Sequence, residues 1–218
     1  LNVKGCTQLE VLSLFDNQVS SLDLTTNTKL KELNVEGNKL TSLDLSNNTQ
    51  LESLSAGYNK SLTSLDLSKN TKLRRLYING SGISSIDLGA LTALEYFSCE
   101  KCNMSSLDLS NNAVLDTLNC DNNNLTRLDV TRNPKLRVLN CRDNQLTSLD
   151  ISKNTALSRL DCRGNSISAL DVSKNTALST LYCSSVYIST YFLTSGLGPT
   201  RLMSPFSTFQ SCGSSSSL

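Results

Sequence analysis

The sequence has no histidine, no tryptophan and only three prolines, and its aromatic residues amount to 5%. Without histidine the chain lacks the commonest general base and the commonest neutral metal ligand, which weakens hydrolase triads and mixed zinc sites at once. No G-x-S-x-G elbow or phosphate-binding loop compensates. No run of eighteen apolar residues occurs, so no helix of the chain is expected to span a bilayer. Charge of one sign is also missing. The formal net charge is +1, whereas a nucleic-acid module needs a basic excess to neutralise phosphates. The chain begins at Leu1 without a charged segment followed by an apolar one, so any export signal is expected outside this sequence.

What is present is one unit, repeated. It is seen best from Leu136 to Ala156 as L-R-V-L-N-C-R-D-N-Q-L-T-S-L-D-I-S-K-N-T-A. Full copies begin at Leu9, Leu30, Leu51, Leu73, Leu94, Leu115, Leu136 and Leu157, and a partial copy begins at Leu178. The step is 21 residues except for one of 22, where Ser61 is inserted. Residues 1–8 form a partial repeat, 9–177 the array, 178–192 a degenerate terminal repeat, and 193–218 a Ser/Gly/Pro-rich tail that is either irregular or an improvised cap carrying Phe206 and Phe209.

Each copy holds two alternating triplets, such as Leu139-Asn140-Cys141 and Leu149-Asp150-Ile151. Alternation of this kind predicts a short strand with one buried face at each triplet. A single 21-residue copy buries too little to fold alone, so copies must stack and share their faces in a solenoid. The expected class is mostly β, with about eight full repeats and partial ones at both ends.

The run Leu136 to Leu146, L-x-x-L-x-C-x-x-N-x-L, resembles the leucine-rich repeat, and the following T-S-L-D-I-S-K-N-T-A is similar to the nested 21-residue bacterial subtype. The resemblance covers Leu1 to about Ile188. It implies a non-catalytic interaction module of a cell-surface or secreted protein, with a protein or alternatively a glycan as ligand and no cofactor. A structural stalk, or the targeting arm of a larger effector enzyme, are the alternatives it leaves. Oligomeric state is open.

Three columns of polar or reactive residues need a reading. Asn144 and Asn154, with their counterparts in other copies, are expected to stack at two corners and satisfy buried backbone groups. Ser81, Cys102 and Val186 interrupt the first corner, Cys6 and Leu91 the second. Cys99, Cys120, Cys141, Cys162 and Cys183 occupy a core position and are expected to be inert buried thiols. C-E-K-C at Cys99 to Cys102 lacks the second pair that a zinc site requires. The Asp column (Asp23, Asp44, Asp66, Asp87, Asp108, Asp129, Asp150, Asp171) places like charges side by side. Neighbouring hydroxyls such as Ser148 and Ser152 are the expected compensation, and a calcium ladder is disfavoured because the Gly-rich turns of calcium-binding β-helices are absent.

Positions the frame requires are constant from copy to copy, and those on the exposed side of the first triplet vary. They run from Glu32, Asn34 and Glu36 to a Tyr/Arg middle and an Arg-rich end. The candidate partner-binding residues are Arg75, Tyr77, Tyr96, Arg137, Asn140, Arg142, Arg159, Asp161 and Arg163, because Tyr and Arg dominate interface hot spots.

Overall fold

The computed structural model describes residues 1–184 and the backbone of 187–188 and 201–202. One strand of three residues opens each copy: β1 Val11–Ser13, β2 Glu32–Asn34, β3 Ser53–Ser55, β4 Arg75–Tyr77, β5 Tyr96–Ser98, β6 Thr117–Asn119, β7 Val138–Asn140 and β8 Arg159–Asp161. After β9, Ala169–Leu170, come β10 at Thr180–Tyr182, β11 at Tyr187–Ile188 and β12 at Arg201–Leu202. The main sheet is parallel, in the order β1 through β8, then β10 and β12. Its register steps by one copy, Leu118 opposite Leu139 and Leu139 opposite Leu160. The chain is therefore a solenoid of parallel turns, as the repeat demands.

The strands sit one residue earlier than the triplet expected. In β7 Leu139 is buried and Val138 and Asn140 face outward. The ladder extends past both strand ends: Arg137 N–H donates to the Asp116 carbonyl (2.8 Å), and Asp143 N–H to the Arg163 carbonyl (2.8 Å). Leucines at the first and fourth positions of the copies, with Phe97 at one fourth position, fill the core with the Cys column. Cys99, Cys120 and Cys141 are fully buried, as are Leu115, Leu118 and the largest core side chain, Phe97.

The second triplet does not form the strand expected of it. Among the described residues only β9 pairs on that side, with β11. Elsewhere the chain closes two successive turns, Asn154 N–H to the Ile151 carbonyl and Leu157 N–H to the Asn154 carbonyl, both 3.0 Å. Local turns use up the backbone groups that a ladder would need. Neighbouring turns are linked there by side chains instead: Asn154 Nδ2 donates to the Val130 and Asn133 carbonyls, each at 2.9 Å.

The two Asn corners differ. At the first, Asn144 Nδ2 donates to the carbonyls of Cys120, Cys141 and Arg142, and its Oδ1 accepts from Leu125 N–H at 3.0 Å. At the second, the amide only donates: the Oδ1 atoms of Asn27, Asn48, Asn70, Asn112, Asn133, Asn154 and Asn175 are buried without a protein partner. The expectation that both corners satisfy donors and acceptors holds only at the first.

One column escaped the sequence reading. Asp16, Gly37, Tyr58, Gly80, Lys101, Asn122, Asp143 and Gly164, one per copy, all have φ between 51° and 69°. The turn after each strand requires a left-handed residue, which explains the Gly, Asn and Asp there. Ser61 is absorbed locally, with Leu62 N–H bonded to the Asn59 carbonyl (3.0 Å). The bulge leaves no room for a side chain on the next turn: a Cβ on Gly82 would lie 2.5 Å from the Lys60 carbonyl oxygen.

At the C-terminal end the backbone of Arg201–Leu202 adds a strand beside β10. Val186, Phe192 and the aromatic residues of the expected cap, Phe206 and Phe209, lie outside the described residues. Among the described residues no helix is long and apolar enough to cross a membrane.

Candidate binding face and its edge recess

Alternation in a three-residue strand sends its two outer side chains to the exposed face. Arg75 and Tyr77 come from β4, Tyr96 from β5, Asn140 from β7, and Arg159 and Asp161 from β8. Arg142 and Arg163 follow two residues after their strands. Arg137 does not belong to this set. It precedes β7 by one residue and stands in an edge column with Glu10, Lys31, Glu52, Arg74, Glu95 and Asp116.

The centre of the face is a line of neutral polar groups. The Tyr77 and Tyr96 rings lie 4.7 Å apart, tilted by 33°. Asn119 Nδ2 donates to the Tyr96 hydroxyl at 2.8 Å, and Asn140 Nδ2 donates to Asn119 Oδ1 at 2.6 Å. Burial, then Tyr77 and Glu100, push the Tyr96 phenol up, so it stays neutral at physiological pH. Asn119 was not among the candidates, yet it joins two of them.

The Arg-rich end is less cationic than its sequence suggests. The Asp161 carboxylate accepts two bonds from Arg163, from Nε at 2.9 Å and from Nη2. Arg163 and Arg159 lie over Tyr182, at 4.7 Å and 5.0 Å from the ring centroid. Arg142 Nε donates to Asp143 at 2.9 Å. These contacts hold the arginines flat against the face and position them at little net cost, since exposed pairs contribute about 0 to 1 kcal/mol. Asp161 is a buried anchor for Arg163, not an exposed contact.

Between the tyrosine line and the arginines stands Asp121. Burial, then Glu100 one turn away, push its carboxyl up to about 6, and the Arg142 N–H bonded to it at 3.2 Å offsets part of that rise.

The edge column is built of charges of both signs, alternating except where Glu95 and Asp116 are neighbours. Lys31 pairs with Glu10 at 2.8 Å, Arg74 with Glu95 at 2.8 Å, and Arg137 with Asp116. Beside it lies a recess of about 610 Å³ lined by Arg74, Arg75, Thr92, Ala93, Glu95, Tyr96, Val114, Asp116, Lys135 and Arg137. Arg75, Tyr96 and Arg137 are thus brought together here; Arg142, Arg159 and Arg163 are not. Ala93 and Val114 make the space. Lys72 and Lys135 hold the same position in the adjoining copies.

The two ladders with chemical potential are structural. Each Asp of the L-D-L frame accepts the N–H two residues on; at Asp150 the bond from Ser152 N–H, at 2.9 Å, holds the carboxyl below the usual range. Backbone amides therefore do most of what the hydroxyls were expected to do. The side-chain hydroxyl of Ser152 adds to it, and Ser148 plays no part. Among the described residues no group of three potential ligands could hold a metal ion. Cys102 stands in for a corner Asn: its thiol donates to the Ile78 carbonyl at 3.1 Å and to the Glu100 carbonyl at 3.4 Å.

Residues 134–175 match a family model for leucine-rich repeats in two copies, and residues 26–41 and 58–71 match a second leucine-rich-repeat model. No curated protein matches the sequence significantly. Among solved structures, the functional domain of InlJ from Listeria monocytogenes, described as including a cysteine ladder, is 38% identical with a TM-score of 0.82. That match covers 85% of this chain and 41% of the InlJ chain, so the chain spans about two fifths of that relative's solved length. Internalin C2 from the same organism aligns over 92% of this chain and 83% of its own, at 17% identity and a TM-score of 0.70. A leucine-rich-repeat protein of Leptospira interrogans aligns over 86% and 58%, at 19% identity and 0.66. Likeness at these lower identities is likeness of fold. The repeat, its register and these matches agree: the chain belongs to the leucine-rich-repeat proteins of the bacterial type.

Proposed function

We propose that the chain is a non-catalytic recognition module of a cell-surface or secreted protein, and that it binds a protein partner through the exposed face of its strand ladder. The observation that carries this reading is the contrast between positions. Frame positions repeat almost without change, while the exposed strand positions hold Arg75, Tyr77, Tyr96, Asn119, Asn140 and Arg159, no two adjacent copies alike. Several of these side chains are held in place by hydrogen bonds and ring contacts before any partner arrives, which lowers the ordering cost of binding. Aromatic and Arg side chains so held are the usual anchors of protein interfaces.

The test compares two triple variants of the whole chain. Replacing Tyr77, Tyr96 and Arg159 by serine changes the face; replacing Lys69, Lys153 and Lys174 by serine changes the opposite flank. Immobilised wild type and flank variant are expected to retain the same proteins from a surface-protein extract, and the face variant to lose them. Equal retention by all three would remove the strand face as the site. Retention of free oligosaccharide in place of protein would turn the reading to a glycan ligand.

A further inference from the structure

We infer that the edge recess between Lys72 and Lys135 is an acceptor site for an acidic peptide segment of the partner, entered from the edge of the strand ladder. This rests on the recognition reading above and names the chemistry of one part of it.

Long side chains flank the recess on both sides. Lys29, Gln50, Lys72 and Lys135 stand at the last position of their copies, Ala93 and Val114 fill that position in the two consecutive turns between Lys72 and Lys135, and Ala156 and Ala177 fill it in the two turns after Lys135. The same stretch departs from the frame elsewhere. Asp87 to Ala93 reads D-L-G-A-L-T-A, with Leu91 where a corner Asn stands in most copies and Ala90 where Lys69, Arg132, Lys153 and Lys174 stand in others. Here the short side chains Ala93 and Val114 lie beside the charge lost at Ala90, and the recess opens between the long side chains on either side.

The charges around it do not cancel. Arg74, Arg75, Lys135 and Arg137 supply four positive groups against Glu95 and Asp116. Both acids are already engaged inside the wall. Glu95 accepts Nε and Nη2 of Arg74 at 3.1 and 2.8 Å, and Asp116 accepts Nε of Arg137 and the Thr117 hydroxyl. That leaves Arg75, whose nearest carboxylate is Glu32 of a different turn at 3.7 Å, and Lys135, which has no ion pair among the described residues. The two stand at opposite ends of the recess, on the first and last of its turns. The floor between them is the Ala93 and Val114 side chains and the Tyr96 ring. A carboxylate at either end and an apolar side chain between them match that floor, which an extended peptide presents on one face when its acidic residues stand four apart with an apolar residue midway, as in Glu-Ser-Leu-Ser-Glu. A basic segment would meet Lys135, without a counter-charge among the described residues, and Arg75, held only at 3.7 Å by Glu32.

The probe is a short synthetic peptide of the form Glu-Ser-Leu-Ser-Glu, and its control carries lysine in place of glutamate. Titrated into the isotopically labelled full chain, the acidic peptide should shift the amide resonances of Ala93, Val114, Lys135 and their neighbours, and the basic one should leave them in place. The double reversal Arg75→Glu with Lys135→Glu, both exposed, should weaken the acidic peptide by about tenfold or more and admit the basic one. Ala93→Trp, which fills the recess, should abolish the shifts by the acidic peptide; Val114→Trp serves if that variant does not fold. Equal shifts by both peptides, shifts confined to β6 through β8, or unchanged binding in the filled variant would overturn the assignment. Because Tyr77→Ser with Arg159→Ser leaves Tyr96 and the rest of the floor in place, loss of partner retention in that double variant with no peptide effect at the recess separates failure of this inference from failure of the recognition reading.

Discussion

The Tyr58 ring lies across Gly80 of the next turn, so that a Cβ on Gly80 would stand 2.9 Å from both Cδ1 and Cε1 of the ring. Both residues belong to the left-handed column, at φ 54° and 60°. One column thus sets two demands at neighbouring turns: a backbone that only glycine adopts freely, and a flat surface on which a strained tyrosine can rest.

Gly80→Ala should therefore cost on two counts, about 1 to 2 kcal/mol for the left-handed backbone and about 1 to 3 kcal/mol for pushing the ring aside. In a Tyr58→Ala background only the first remains. Urea denaturation of the two singles and the double closes the cycle. A coupling below the error of the measurement would show that the ring does not rest on the glycine.

The corners make a second, comparative prediction. Asn144 both donates and accepts, whereas Asn154 only donates. Nature has already replaced an Asn of the second corner by Leu91, which is fully buried. Asn154→Leu should cost about 1 to 2 kcal/mol, and Asn144→Leu more, because it also strands the Leu125 N–H. Equal losses in urea midpoint would contradict the distinction between the corners.

The fold was legible because its determinants are periodic. Leu139, Cys141, Leu149 and Asn144 recur at a fixed step, and any copy corrects the reading of another. The second triplet was misread because L-D-L alternates like a strand while the Asp closes a turn on the N–H two residues later, a choice that alternation does not encode. The left-handed column was visible as Gly, Asn and Asp, and Tyr58 and Lys101 hid it. The face was legible as a set of variable positions, but not its pairing. That Arg163 is spent on Asp161, and Arg137 on Asp116, depends on side chains meeting between or beyond strands. Ala93 and Val114 went unnoticed because attention goes to what a position carries, and these two matter for what they omit.

Asp121 gives the array a pH dependence opposite to that of the Asp ladder. Its carboxyl is pushed up to about 6, so between the unfolded value near 3.9 and that point the folded chain holds a proton that the unfolded chain releases. Stability from this group is present at acid pH and lost as pH rises through about 6. The ladder acids, Asp44 and Asp150 among them, are held low, and their contribution is lost as pH falls below the ordinary carboxylate range. Asp121→Asn should therefore raise the melting temperature at neutral pH and leave it unchanged near pH 4. A gain of the same size at both would exclude Asp121 as the source.

The cysteine column yields the last prediction. Burial pushes the thiols of Cys99, Cys120 and Cys141 well above their ordinary value and that of Cys162 up to about 12, while Cys6 is exposed. Only a thiolate alkylates readily, so at neutral pH iodoacetamide should label Cys6 quickly and the column only once urea unfolds the array. The column is also replaceable on steric grounds, since Val35, Ala56 and Ile78 fill the same position in earlier turns. Cys141→Val should stay within about 1.5 kcal/mol of the parent, and Cys141→Ser should lose about 1 to 3 kcal/mol by burying a hydroxyl. Peptide mapping of the label, with urea midpoints for the two variants, checks both claims. Rapid labelling of Cys141 in the folded chain, or a valine variant weaker than the serine one, would mean that the column does more than fill space.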